Sequence, residues 1–297
     1  MIGRIHIKHA IKHVTGRMAV AQQTLTGVSA TNQACILAYH RIADIDFIDS
    51  RVDDWNVRPD MFEQQIRAAS EFGEIIPLAD LPAKLSSKRP PQRPWVCLTF
   101  DDGFANFYLN AVPILKRYNA HATLFVATSQ VDAVQPMPFD RWGNQYAPQM
   151  SAETWRPITW DELQCCLDST VVSIGSHSHQ HQNALECSAE QLNDEAERSR
   201  DILISKLGRE SARLYAYPYG STRLGQVNDA YVASVKRAGY ELAVSTDLGM
   251  AKDSSDRFAM PRIEAHPLDN AAIIRAKMNG SLSPYLFTDR LRKSRRR

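Results

Sequence analysis

No stretch of this 297-residue chain approaches the roughly 18 consecutive apolar residues that a membrane-spanning helix needs. Arg4, Lys8, Lys12 and Arg17 interrupt the first twenty residues, leaving no apolar core of about 7–15 residues to act as a secretory signal. A cytoplasmic location is the expectation. Cysteine is sparse: the five present (Cys35, Cys97, Cys165, Cys166, Cys187) are odd in number and mostly lie in apolar runs, which suits buried free thiols rather than a disulfide framework. An excess of one charge is also missing, since 35 Lys and Arg face 33 Asp and Glu for a net +2. Six of the basic residues (Arg290, Arg292, Lys293, Arg295, Arg296, Arg297) fall in the last eight positions, and removing them leaves −4 for the remainder. A mildly acidic body excludes a dedicated nucleic-acid binder. Internal repeats and Gly/Ser-rich linkers are absent as well, so a single domain is expected.

With 44% hydrophobic and 23% charged residues, a chain of this length can bury a full core. From residue 34 onward short apolar runs alternate with amphipathic stretches, the pattern of parallel strands joined by crossover helices. Strands are predicted over 35–39, 95–100, 122–127, 171–175, 214–217 and 242–245, and helices over 59–72, 104–118, 159–167, 188–207 and 226–238. Capping boxes open two of the helices, at Thr159 with Glu162 and at Ser188 with Gln191, and Gly239 closes another. The Pro-rich stretch 86–94 reads as a loop. Residues 129–158 lack periodicity yet hold Phe139, Trp142, Tyr146, Met150 and Trp155, which suits either a lid or a loop packed down by its own aromatics.

Two adjacent carboxylates and a glycine end an apolar strand at Thr99-Phe-Asp-Asp-Gly103. If the chain turns at Gly103, both acids can approach one centre, where a divalent cation would relieve their repulsion. His177 and His181, four apart after the 171–175 strand, share a face if the chain turns helically there, and imidazole with carboxylate is a ligand set that zinc and other first-row metals accept. His179 points elsewhere. In Tyr217-Pro-Tyr-Gly220, Pro218 stops the strand and leaves the Tyr219 N–H as a candidate oxyanion donor.

Thr-Phe-Asp-Asp-Gly at 99–103, Gly-Ser-His-Ser-x-x-His at 175–181 and Tyr-Pro-Tyr-Gly at 217–220 together resemble the polysaccharide deacetylase superfamily of metal-dependent carbohydrate de-N-acetylases and esterases. The resemblance runs from about Ile36 to about Ile263. It implies a distorted (β/α)₇ barrel over 34–285, with 1–33 an N-terminal extension, 129–158 an insertion and 286–297 a basic tail. It also implies that Asp101 is the general base, that Asp102, His177 and His181 bind the metal, that Ser178 supports the histidine loop, and that Tyr219 supplies a backbone oxyanion contact. Two departures stand out: Ala216 occupies the position where the family often has Arg, and no C-terminal Leu-x-x-His strand supplies the general acid. Ile36-Leu-Ala-Tyr-His40 is instead similar to the circularly permuted exopolysaccharide deacetylases, whose acid-bearing strand comes first. His40 then inherits the acid role, with His266 as its rival.

The expected activity is hydrolysis of an acetamide on an N-acetylhexosamine, using a divalent ion such as Zn²⁺, Co²⁺ or Mn²⁺. A carbohydrate O-acetyl esterase or a small-amide hydrolase with the same site, or a catalytically silent carbohydrate-binding relative, are the alternatives. His6, His9 and His13 share a helical face, but Lys8 and Lys12 oppose a dication. His121 and the Cys165–Cys166 pair carry no ligand pattern. The Arg-rich tail suits a solvated end or contact with an anionic surface.

Overall fold

The structure is a computed structural model and describes residues 32–45, 55–87 and 91–280. The N-terminal histidine face and the basic tail lie outside the described residues. Seven parallel strands form a closed ring: β1 (Gln33–Tyr39), β2 (Trp95–Phe100), β3 (Ala122–Val126), β4 (Val172–Ser176), β5 (Leu214–Ala216), β6 (Leu242–Leu248) and β7 (Met260–Glu264). Each pairs with the next in chain order and β7 pairs with β1. Closure rests on β1 against β2, in register from Ala34 opposite Trp95 to Tyr39 opposite Phe100. The ring is uneven, because β4 and β5 align only Ser176 with Tyr215 and β7 slips register against β6 between Met260 and Arg262. The expected distorted (β/α)₇ barrel is therefore the fold.

Helices α1 (Pro59–Phe72), α2 (Val112–Arg117), α3 (Arg141–Tyr146), α4 (Trp160–Asp168), α5 (Ala189–Leu207), α6 (Asp229–Arg237) and α7 (Ala271–Met278) lie outside the ring. Side chains alternate along each strand. Ile36, Cys97, Phe125, Leu214 and Val244 fill the ring, whereas Leu37, Val96, Leu98 and Leu124 pack with α1, α2 and α4. The interior is full at its middle layer: a Cβ on Gly175 would meet the Phe125 ring at 2.7 Å and the Leu214 carbonyl at 3.0 Å.

All six predicted strands form, and both capping boxes close, with Thr159 Oγ accepting from Glu162 N–H at 3.2 Å and Ser188 Oγ from Gln191 N–H at 3.2 Å. Gly239, at φ 88°, follows the last residue capping α6. The helix expected over 104–118 is instead a π-turn, Phe107–Ala111, followed by α2. Pro113, which cannot donate a backbone hydrogen bond, sits in the first turn of α2, where no donor is required. β7, α3 and α7 are additions to the predicted elements. The 129–158 segment contains α3, and its Trp142 is buried with Ala43 and Ile45 while Tyr146, Met150 and Trp155 pack around them. Its aromatics hold it down on the chain that leaves β1.

Candidate active site

The C-terminal ends of the strands converge on one mouth of the barrel, where such folds place their chemistry. Asp101 extends the β2 ladder by one residue, donating its N–H to Tyr39 O at 3.0 Å. The chain then leaves the strand: Asp102 adopts φ 75°, Gly103 adopts φ 88°, and a Cβ on Gly103 would press on Val126 at 3.0 Å. That turn lets neighbouring acids serve one centre from different sides, as expected. Asp101 is buried and gripped by Arg262 of β7, whose two terminal nitrogens donate to its two carboxylate oxygens at 2.8 and 2.7 Å. Burial pushes the Asp101 carboxyl up, but Arg262, with His177 and His40 behind it, outweighs this and holds it below the usual carboxylate value.

Asp102 faces the histidines. Its Oδ1 lies 3.5 Å from His177 Nε2 and 3.4 Å from His181 Nε2. The two imidazoles meet, but the reason differs from the sequence expectation: residues 177–183 form no helix. A tight loop brings them together, with Ser178 at φ 65° and His181 at φ 62°. Ser176 Oγ accepts from Ser178 N–H at 3.1 Å, and Ser178 Oγ accepts from His181 N–H at 2.9 Å, so Ser178 does support the loop. Glu195 of α5, buried beneath, accepts the N–H groups of His179 and Gln180 at 3.1 and 2.8 Å. His179 turns away and meets Thr128 Oγ at 3.0 Å.

His177 Nδ1 donates to Ala216 O at 2.8 Å, which fixes the tautomer and leaves the Nε2 lone pair for a cation. Burial pushes the His177 imidazole down, but Asp101 and Asp102 outweigh it and raise its basicity. For His181 burial prevails and lowers its basicity. Asp102, His177 and His181 each offer one ligand atom, all within 4.8 Å of one another, and among the described residues this is the group with that geometry. One carboxylate oxygen and two imidazole nitrogens on a fixed loop fit a first-row divalent ion.

His40 follows β1 and places Nε2 4.0 Å from Asp101 Oδ2, so the first strand does deliver it to the site. His266 turns toward its own loop, its Nδ1 accepting Leu268 N–H at 3.1 Å. Tyr219, at φ 59° after Pro218, leaves its N–H without an acceptor among the described residues, while its ring stands 5.1 Å from that of His181. Three side chains that border the site escaped the sequence reading. Arg262 sits in a strand that was not predicted, Phe139 stacks on His181 at 3.7 Å from the aromatic segment, and Trp55 meets His40 edge-on at 4.5 Å. The aromatic excess of 129–158 was the signal for Phe139.

The family model for polysaccharide deacetylase matches residues 88–243, a span that holds both acids, both histidines and Tyr219. The chain belongs to the polysaccharide deacetylase family. His40 and Arg262 lie outside the matched span, one on each side, and join the site only because the barrel closes through β1 and β7. The chain is 25% identical over 250 residues to the poly-β-1,6-N-acetyl-D-glucosamine N-deacetylase of Staphylococcus aureus strain MRSA252, covering 78% of each. It is similar to the Streptococcus pyogenes deacetylase PplD in complex with acetate, with a TM-score of 0.67 and 26% identity over 83% of this chain and 98% of that one. The fold is shared with IcaB from Ammonifex degensii, at a TM-score of 0.65 and 20% identity over 82% and 96%. Among the described residues no helix is long and apolar enough to cross a membrane.

Proposed function

We propose that the protein hydrolyses the N-acetyl groups of an N-acetylglucosamine-containing oligo- or polysaccharide, and that it does so with a divalent metal, Zn²⁺ first and Co²⁺ or Mn²⁺ next. The supporting observation is the division of the two acids, Asp101 paired with Arg262 beside His40 and Asp102 facing two histidines. A cation held by Asp102, His177 and His181 would supply Lewis-acid polarisation of the acetyl carbonyl and a more acidic water. Asp101, ionised and aimed by Arg262, accepts a proton from the attacking water. The Tyr219 N–H donates to the carbonyl oxygen as negative charge gathers there. His40 gives a proton to the departing amine nitrogen, and acetate and a free amino sugar leave. The substrate class takes support from the Staphylococcus aureus relative.

The test is acetate release from β-linked N-acetylglucosamine oligomers by chelator-treated protein resupplied with Zn²⁺, Co²⁺ or Mn²⁺ in turn. Turnover that returns with at least one ion supports the reading. Full turnover in chelator, or none with any ion, overturns it.

A further inference from the structure

Beside His40 stands a large apolar ring that the fold has fixed in place yet left uncovered. The Trp55 backbone is tied down: its carbonyl accepts Arg41 N–H at 3.1 Å, and the next two residues pair with Arg41 and Ile42 in a short parallel ladder. Asn56 locks the same turn, with its buried side chain accepting Ala43 N–H at 3.2 Å and donating to Ala43 O at 3.1 Å. Even so, Trp55 is 44% exposed. An indole that stands open on a backbone held by hydrogen bonds forgoes burial free energy beside His40. Its edge-on contact with His40 takes only part of the ring. Pyranose rings carry an apolar face of axial C–H groups, and an aromatic face fixed beforehand binds such a surface at little entropic cost.

We propose that Trp55 is a stacking platform for a pyranose ring of the substrate, on the acid side of the reacting N-acetyl group, and that it sets a preference for oligomers over single sugars. This rests on the glycan deacetylase reading above. The sugar ring neighbouring the one that loses its acetyl group would lie against the indole, so that His40 meets the nitrogen from one side while Asp101 and the histidine cluster meet the acetyl group from the other.

The experiment compares wild type, Trp55→Phe and Trp55→Ala on N-acetylglucosamine monomer, on its β-linked pentamer and on an aryl acetate, each with saturating metal. For Trp55→Ala, kcat/KM on the pentamer should fall about tenfold, equivalent to roughly 1.4 kcal/mol of lost ring contact, mostly through KM. Activity on monomer and aryl acetate should stay within about twofold, and Trp55→Phe should recover much of the pentamer rate. Equal losses on monomer and pentamer with the aryl acetate spared would show that Trp55 merely orients His40, equal losses on all three would show a general structural role, and an unaltered pentamer rate would show that no sugar stacks there; each overturns the platform alone. A wild type that cleaves the aryl acetate but releases no acetate from any oligomer overturns the glycan reading, and the platform with it.

Discussion

Arg262 grips Asp101 through two charge-assisted hydrogen bonds in a buried setting, while its Nε donates to Ser245 O at 2.9 Å. Removing one member of such a pair leaves the other charge buried without a partner. Arg262→Ala is therefore expected to cost about 3–5 kcal/mol in chemical denaturation, and a loss below about 1 kcal/mol would show that the pair contributes little. The arginine also answers the departure at Ala216: a cation such as the family often carries before its Tyr-Pro motif reaches Asp101 here from β7, and the Ala216 carbonyl serves His177 instead. At His40 the chemistry makes a sharper distinction. An aryl acetate loses a phenolate that needs no proton, whereas an acetamide loses a poor leaving group that does. His40→Ala should cut acetamide hydrolysis by at least about a hundredfold while sparing most aryl acetate turnover and the metal content, and His266→Ala should show no such contrast. The reverse pattern would transfer the acid role to His266. Asp101, Asp102, His177 and His181 were legible because each sits in a short motif with its chemistry next to it. Arg262 was not, since one arginine among the many in a chain carries no local sign of the carboxylate it will meet 161 residues away.

α5 does more than cover the barrel. Its Glu195 accepts two backbone N–H groups of the histidine loop, and its Ser199 hydroxyl shares a hydrogen bond with Ser176 Oγ at 2.6 Å. Glu195→Ala would strand two donors under the loop, at about 1–3 kcal/mol each, and should weaken metal affinity by calorimetric titration. Glu195→Gln keeps a carbonyl acceptor and should retain most of that affinity. If the two variants match wild type in stability and metal binding, α5 does not hold the loop. Most elements were readable from period and caps, because a buried parallel strand is a short apolar run and a capping box is a local signature. β7 was not, since Met-Pro-Arg-Ile-Glu breaks its apolar run with Pro261 and Arg262. The slip in register between Met260 and Arg262 accommodates the proline, and the arginine faces inward only because Asp101 neutralises it. The turn between His177 and His181 was misread for a related reason: four-residue spacing suits a helix, and only the left-handed residues inside it reveal a loop.

At the scale of the whole barrel, three thiols report on whether the ring is shut. Burial pushes Cys35 and Cys166 up to about 12 and Cys97 further still, whereas Cys165 is exposed. A thiol-specific reagent at neutral pH should label Cys165 at once and Cys187 more slowly, leaving Cys35, Cys97 and Cys166 unreacted until denaturant opens the fold. Native labelling of Cys35 or Cys97 as fast as Cys165 would mean that the β1–β2 seam opens on its own. That seam was the least legible feature from residue patterns alone, because pairing 33–39 with both 95–100 and 260–264 leaves no local trace; the family resemblance supplied it. Asp102, Ser178, His181 and Tyr219 all hold a left-handed backbone without being glycine, at a cost of about 1–2 kcal/mol apiece. In metal-free protein His181→Gly should thus be more stable than His181→Ala, a difference that thermal melting can read directly. Stability and the proposed metal site therefore pull in opposite directions at Asp102 and His181, whose side chains are the ones offered as ligands. Drift toward glycine would firm the scaffold while dismantling the site, so a lineage released from selection for catalysis would slide toward a sturdier, inert barrel.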